Sequence, residues 1–347
     1  MRFRLSALVA LGLVLGLAIP SVVGAKPASS ADLQRARVIA YWTPARIASA
    51  VPRDFVRDAA GKLVPNAKPP GTPGGGGGGS GDGSVKGASW TGDGFIEARS
   101  GRVLFAMGGG NWICSASVVN DGSTSNGYST IVTAGHCVYD GSDGWATNWI
   151  FIPDFDDAPV YSPCSSTALG CWTATRLGAN ADFVAGGGFG NDTVDVDYGF
   201  ARVGLGGKTG PTQELDALVG SYGLKTSSTS LSDQQWAFGY PAEGKYKGRD
   251  LIYCTNVGAS LIADPYGSNT WGMACNMNGG SSGGPWVHGP SNPGTDPGKL
   301  VASVNSYGYS SLTYMFGPKF NSETTTVHAD VIDGSATTGV SSVRNLP

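Results

Sequence analysis

Charge is what this sequence is short of. Charged residues make up 14% of its 347 positions, against roughly 25% in an average soluble domain. Lysine and arginine together number 23 and aspartate and glutamate 26, for a formal net charge of −3. There is no basic field to hold a phosphate backbone and no arginine-rich reading element, so nucleic-acid binding is disfavoured. Histidine occurs only three times, and no CxxC pair is present. His136 lies beside Cys137, a poor spacing for two ligands on one metal, which argues against a zinc site. No calcium loop of known spacing occurs, and no cofactor is expected. No long stretch keeps a helical period, which excludes a coiled coil.

Glycine is abundant instead, with 55 residues, well above the usual share of about 7%. Beyond Trp90 the chain runs in short apolar segments rich in valine, isoleucine and aromatics, separated by Gly, Asn, Ser and Asp; Arg102 to Met107, Trp112 to Val119, Gln235 to Tyr240 and Leu300 to Ser306 are examples. This texture predicts an all-β sandwich or barrel. Two short exceptions are a turn over Ala134 to Val138 and a helix-like stretch from Lys319 to Val327.

The organisation ahead of that domain is legible. Arg2 and Arg4, an apolar run from Leu5 to Ile19, and small residues at Val23, Gly24 and Ala25 make the three parts of a secretory signal over residues 1–25. A spanning helix fits less well, because Pro20 breaks a run already short for about 30 Å of hydrocarbon. Residues 26–68 form a mixed leader with a helix-like stretch from Ala45 to Val51. Residues 69–89, opening PPGTPGGGGGGSGDGS, carry almost no side chain able to bury apolar area and are expected to be a flexible tether. Tethers of this kind are where proteolytic nicking concentrates, so the leader reads as a propeptide ahead of a domain over residues 90–347. After export the six cysteines are expected to form three disulfides, although six allow 15 pairings.

Two short islands carry chemistry: TAGHC at Thr133 to Cys137 and GGSSGGP at Gly279 to Pro285. A serine hydroxyl is a weak nucleophile until an imidazole takes its proton, so the fold must bring the two together. His136 and Ser282 are the candidates; His288 and His328 lie in no comparable context. The glycines around Ser282 allow a tight turn in which the N–H groups of Gly280 and Ser282 point at one spot and bind an oxyanion. A third member, to hold the imidazole, is sought in NDTVDVDYGFARV, where Asp192, Asp195 and Asp197 are available. Strand alternation would put Asp195 and Asp197 on one face, so periodicity does not choose between them.

Taken in order, WICSASVV, TAGHC, DVDYGFA, GGSSGGP and SVNSYG resemble the secreted chymotrypsin-like serine proteases, in particular their bacterial and fungal glutamyl-endopeptidase-like branch, over about residues 90 to 320. The resemblance implies two antiparallel β-barrels with the active site between them. It implies His136 as general base, Asp197 as the acid, since Tyr198, Gly199 and Phe200 supply the family's apolar–small–apolar triplet after it, and Asp195 as the reserve. It makes Ser282 rather than Ser281 the nucleophile, since the family's serine precedes GGP, and it implies a Cys114–Cys137 disulfide. Cys164 and Cys171 then pair by proximity, leaving Cys254 with Cys275. Asn276 and Met277 fall at the primary pocket, with Ser306, Tyr307 and Gly308 as its wall and Asn305 where glutamate-preferring relatives carry histidine. No aspartate stands at the pocket base for a Lys or Arg substrate. Many animal members carry an aspartate where this chain has Ser281, so latency is expected to rest on the leader.

The expected activity is that of a secreted, monomeric serine endopeptidase made as a prepropeptide, acting through an acyl-enzyme on proteins or peptides, with no membrane association after signal removal. His136 must be neutral to act as base, so activity should fall as pH drops through about 6.5. Two other classes compete. A catalytically inactive binding module on the same scaffold is one. The other is an esterase, because Gly280 to Gly284 also fits GxSxG, but that fold needs its acid and histidine after the serine in alternating strand and helix context, which is absent here.

Overall fold

The computed structural model describes residues 28–66, 84–92, 94–155, 162–289, 300–336 and 338–347. The segment read as a secretory signal and most of the glycine-rich tether lie outside the described residues. Among the described residues no helix is long and apolar enough to cross a membrane.

Strands dominate, as the alternating short runs require. In the first barrel, Gly110–Val119 pairs antiparallel with Ser100–Met107, which pairs with Thr147–Pro153; the order continues through Trp172–Asn180 and Gly199–Gly204 to Tyr128–Thr133. Pairing of Ser117 with Val132 returns Tyr128–Thr133 to Gly110–Val119 and closes the barrel. Closure removes exposed strand edges. Its interior is filled by Phe105, Ile131, Trp149, Phe151, Trp172 and Leu177, all fully buried.

The second barrel is built from two sheets. One contains Gln235–Gly239, Ile252–Thr255, Pro285–His288 and Leu300–Val304; the other contains Thr270–Ala274, Tyr307–Tyr309 and Tyr314–Pro318. Trp271 and Trp286 stack at 6.0 Å between them. This is the double antiparallel β-barrel of the chymotrypsin type. The disulfides are Cys114–Cys137, Cys164–Cys171 and Cys254–Cys275; each narrows the unfolded ensemble, by typically about 2–4 kcal/mol.

The leader straps both barrels. Ser29 and Asp32 form a capping box that starts a helix over Ser30–Tyr41, an element absent from the sequence-based reading because its apolar residues keep no clean helical face. Thr43 caps a second helix, Pro44–Ser49, slightly ahead of the Ala45 to Val51 expectation. Trp42 is 2% exposed and its indole N–H donates to the Asn148 carbonyl at 2.7 Å. Val51–Pro52 then adds parallel to Gly110–Val119 on the first barrel, and Phe55–Arg57 adds parallel to Tyr307–Tyr309 on the second, backed by Leu63–Pro65.

Three expectations need correction. Val85–Ser89, assigned to the flexible tether, is a strand paired with Ile252–Thr255; its composition is poor in apolar residues, and backbone pairing with a preformed edge supplies what its side chains lack. The Asp195 region is not a strand: Val194–Val196 is a 3₁₀ turn, so alternation does not apply and Asp195 is directed elsewhere. The C-terminal helix is longer than expected, running Ser322–Asp333 between an Asn321 cap and Gly334. It buries Val327, Val331 and His328 against the first barrel. Burial holds the His328 imidazole down at about 4, so it is neutral and packs on Phe200 at 5.0 Å.

Trp42→Ala in the full chain should cost docking of the leader about 3–5 kcal/mol. Limited proteolysis is the measurement: cleavage within residues 28–66 should accelerate while the barrel fragments stay protected. Unchanged leader cleavage would show that this indole does not anchor it.

Candidate active site

The site forms where the barrels meet. Tyr128–Thr133 ends at the barrel junction, and the chain turns through Gly135–Cys137 in a 3₁₀ turn that buries His136 completely. The Cys114–Cys137 bridge fixes the far side of that turn to the neighbouring strand. Asp197 follows the Val194–Val196 turn and is also fully buried. Its Oδ1 accepts the His136 backbone N–H and its Oδ2 the ring Nδ1–H, each at 2.8 Å. Ser306 Oγ, from the second barrel, donates to the same Oδ2 at 2.5 Å. A ring that donates from Nδ1 carries its lone pair on Nε2, and His136 Nε2 is buried with no hydrogen-bond partner.

Ser282 comes from the second barrel. Its loop is held against the first by Ser115, whose N–H donates to the Ser282 carbonyl at 2.7 Å and whose hydroxyl donates to the Gly280 carbonyl at 2.8 Å. Gly283 has φ +83°, and a Cβ there would collide with Thr133 Oγ1 and the Ser115 carbonyl, so glycine is required for this close approach. Gly280 has φ +98°. Among the described residues the N–H groups of Gly280 and Ser282 donate to no other protein group, leaving two free donors beside the Ser282 hydroxyl.

That hydroxyl is engaged by the leader. Ser282 Oγ donates to Asp54 Oδ1 at 3.4 Å. Burial pushes the Asp54 carboxyl up to about 6, with hydrogen bonds from Asn66 and Ser282 acting in the opposite direction. Phe55 lies edge-on to the His136 ring at 5.2 Å, and Phe189 covers another side at 5.1 Å. On either side of Asp54, Arg53 pairs with Asp140 and Asp143, and Arg57 lies 3.7 Å from Asp264. None of these leader contacts was visible in the sequence, because nothing local marks a segment whose polar contacts with the barrels here lie from 87 to 228 residues away.

The pocket residues divide. Asn276, Met277 and Gly308 line a cavity of about 460 Å³ together with Asn278, Thr313 and the leader's Asp54 and Val56. Tyr246 OH donates to Asn276 Oδ1. Ser306 and Tyr307 direct their side chains elsewhere, to Asp197 and to Asp264. Asn305 does not belong in the pocket. It is fully buried beneath the Ser282 loop, accepting from Trp286 Nε1 at 2.8 Å and donating to the carbonyls of Phe238 and Ser281 at 2.8 and 3.0 Å. Its place before the wall strand gave the sequence no way to tell a pocket side chain from a brace. Cys114, His136 and Cys137 also cluster closely, but both sulfurs are in the disulfide and neither is free to bind a metal.

Solved structures similar to this chain fit this geometry. A protease, Anisep, from Arthrobacter nicotinovorans is 32% identical with a TM-score of 0.53, over 71% of this chain and 97% of its own. A thermostable serine protease, AL20, from an extremophilic microorganism is 30% identical with a TM-score of 0.54, over 70% of this chain and 98% of its own. No protein-family model and no curated protein sequence matches the chain. With that identity over nearly the whole of two solved serine proteases, the chain belongs to the chymotrypsin-like serine protease family.

Asn305→Ala should remove the partner of the buried Trp286 indole N–H and one donor each from the Phe238 and Ser281 carbonyls, the latter keeping the Gly284 N–H, at about 1 kcal/mol or more for the orphaned indole alone. Thermal unfolding of the variant is expected at lower temperature with an unchanged substrate preference; a changed preference would return Asn305 to the pocket.

Proposed function

We propose that the chain is a serine endopeptidase, exported with a cleavable signal and held latent by its leader, and that its motif strings place it in the glutamyl-endopeptidase-like branch. The observation that carries the catalytic reading is the buried Asp197–His136 pair, with an unpartnered His136 Nε2 at the junction where Ser282 lies beside two unused N–H donors. Once the leader withdraws, Nε2 takes the Ser282 proton as Oγ bonds to the substrate carbonyl carbon. Asp197 holds the imidazole in the tautomer this requires and stabilises the imidazolium. The N–H groups of Gly280 and Ser282 bind the oxyanion. The proton then passes from Nε2 to the leaving amine as the C–N bond breaks, and a water repeats the sequence on the acyl-enzyme.

Latency follows from the same contacts. The Asp54 carboxyl occupies the hydrogen-bonding position at Ser282 Oγ, and Phe55 fills the space over the imidazole. No ammonium–carboxylate switch is available, because Ser281 stands before the nucleophile and its hydroxyl donates to the Asn278 carbonyl at 2.7 Å.

The parent and Ser282→Ala, each expressed as the full chain, should be incubated with a diverse peptide mixture. Cleavage by the parent alone is expected, with loss in the variant of at least about 10⁴-fold. Absence of cleavage by the parent after demonstrated loss of the leader would favour the inactive binding module.

The Asp54 contact gives a pH dependence whose sign is fixed. Its docked value of about 6 lies above the ordinary 3.8, so between these the docked leader keeps a proton that the undocked one loses. Docking should therefore weaken as pH rises from about 4 to about 6, by roughly a hundredfold, and level off above. Protease accessibility of residues 28–66 in full-length Ser282→Ala checks this, and Asp54→Asn should flatten the slope.

A further inference from the structure

The leader's other buried contact points beyond latency. Arg57 is 2% exposed, and a guanidinium is not buried without partners that replace its water. Its Nη2 donates to Ser268 Oγ at 3.0 Å and lies 3.7 Å from Asp264 Oδ2. Around it stand the rings of Tyr266, Tyr307 and Tyr309, with centroids 5.4, 5.4 and 6.0 Å from the guanidinium carbon. Its own leader contributes one acceptor, the Gly61 carbonyl at 3.0 Å.

Everything else in this cage belongs to the second barrel and is organised without Arg57. Asp264 Oδ2 accepts the hydroxyls of Tyr307 and Tyr309, its Oδ1 accepts the Tyr266 N–H, and Thr270 fixes the Tyr307 hydroxyl at 2.7 Å. Tyr266 and Tyr309 stack at 6.0 Å. Arg57 makes the one salt bridge of Asp264 among the described residues. When the leader leaves, the barrel keeps a carboxyl group lined by three aromatic rings and loses the cation that filled it.

The position is that of a substrate side chain. Asp54 touches Ser282, and the Phe55–Arg57 strand runs along Tyr307–Tyr309, so Arg57 sits about 10 Å from the nucleophile at roughly 3.3 Å per residue of strand. We propose that Asp264, Tyr266, Tyr307 and Tyr309 form a cation subsite of the substrate cleft, filled by Arg57 in the latent chain and by a lysine or arginine about three residues from the scissile bond in a peptide substrate. This rests on the endopeptidase reading for its substrate arm and is separate from the primary pocket, whose lining contains no counter-charge from Asp264. Aromatic faces and a carboxylate around one cation are a combination that recognises guanidinium and ammonium groups over neutral ones.

Two measurements test it. Parent, Asp264→Asn and Tyr266→Ala, each expressed as the full chain and processed by the producing cell, are profiled on a peptide library. The parent should favour Lys or Arg at one position about three residues from the cleaved bond. The ratio of basic to neutral residues there should fall about tenfold in Asp264→Asn and also fall in Tyr266→Ala, whose ring is half exposed and tolerates truncation. A parent with no basic preference at any such position, or a preference that both variants keep, overturns the proposal.

The second measurement does not need activity. In full-length Ser282→Ala, hydrogen exchange of the Phe55–Arg57 segment is compared among Arg57→Ala, Asp264→Asn and the double variant. Protection lost by either single change and not lost further in the double supports the cage; additive losses overturn it. If no protein cleaves any peptide while this coupling is present, the endopeptidase reading fails and the cation site stands as a leader-docking site alone.

Discussion

The arrangement depends on one buried carboxyl group. Asp197 has no contact with water and satisfies itself with three donors, two from His136 on the first barrel and one from Ser306 on the second. A buried acid without such partners is costly, so the barrels are held at the one separation that supplies all three. That separation is also the one at which Ser115 reaches the Ser282 and Gly280 carbonyls, and at which Gly283 passes close enough to the first barrel to forbid a side chain. The imidazole tautomer, the position of Ser282 and the two unused N–H groups follow from this packing.

The leader uses the same junction. It is neither a loose tail nor a separate domain, because its short strands complete sheets of both barrels and its side chains fill polar positions that the barrels leave open. Arg53, Asp54 and Arg57 each meet a group whose need for a partner was created by the barrels: Asp140 and Asp143, Ser282, and Asp264. Its hydrogen bonds and ion pairs are therefore of the kind a substrate would make. The leader strand runs parallel to Tyr307–Tyr309 and presents a carboxyl side chain, not a peptide carbonyl, to Ser282. A carboxyl placed there has no amide bond for the serine to open.

Where sequence and structure part, the cause is non-local. Asn305 and Ser306 are adjacent and both fully buried, yet one braces the Ser282 loop and the other holds Asp197. The alternation argument for Asp195 and Asp197 assumed a strand where the chain makes a 3₁₀ turn, and the turn sends only Asp197 to the imidazole. Val85–Ser89 carries no strand signal of its own and is ordered by an edge formed from residues far along the chain.

By itself the sequence determined the β class and the short islands around His136 and Ser282. These depend on local requirements: period-two apolar runs, glycine where the backbone must pass close, and a turn that sets an imidazole or a hydroxyl at its tip. Only the tertiary structure decided which carboxylate meets the imidazole, which polar residues face the cavity, and what occupies the cleft. Each of those is a contact between segments separated by tens to hundreds of residues, and its energy comes from burial that exists only once the two barrels and the leader have closed on one another.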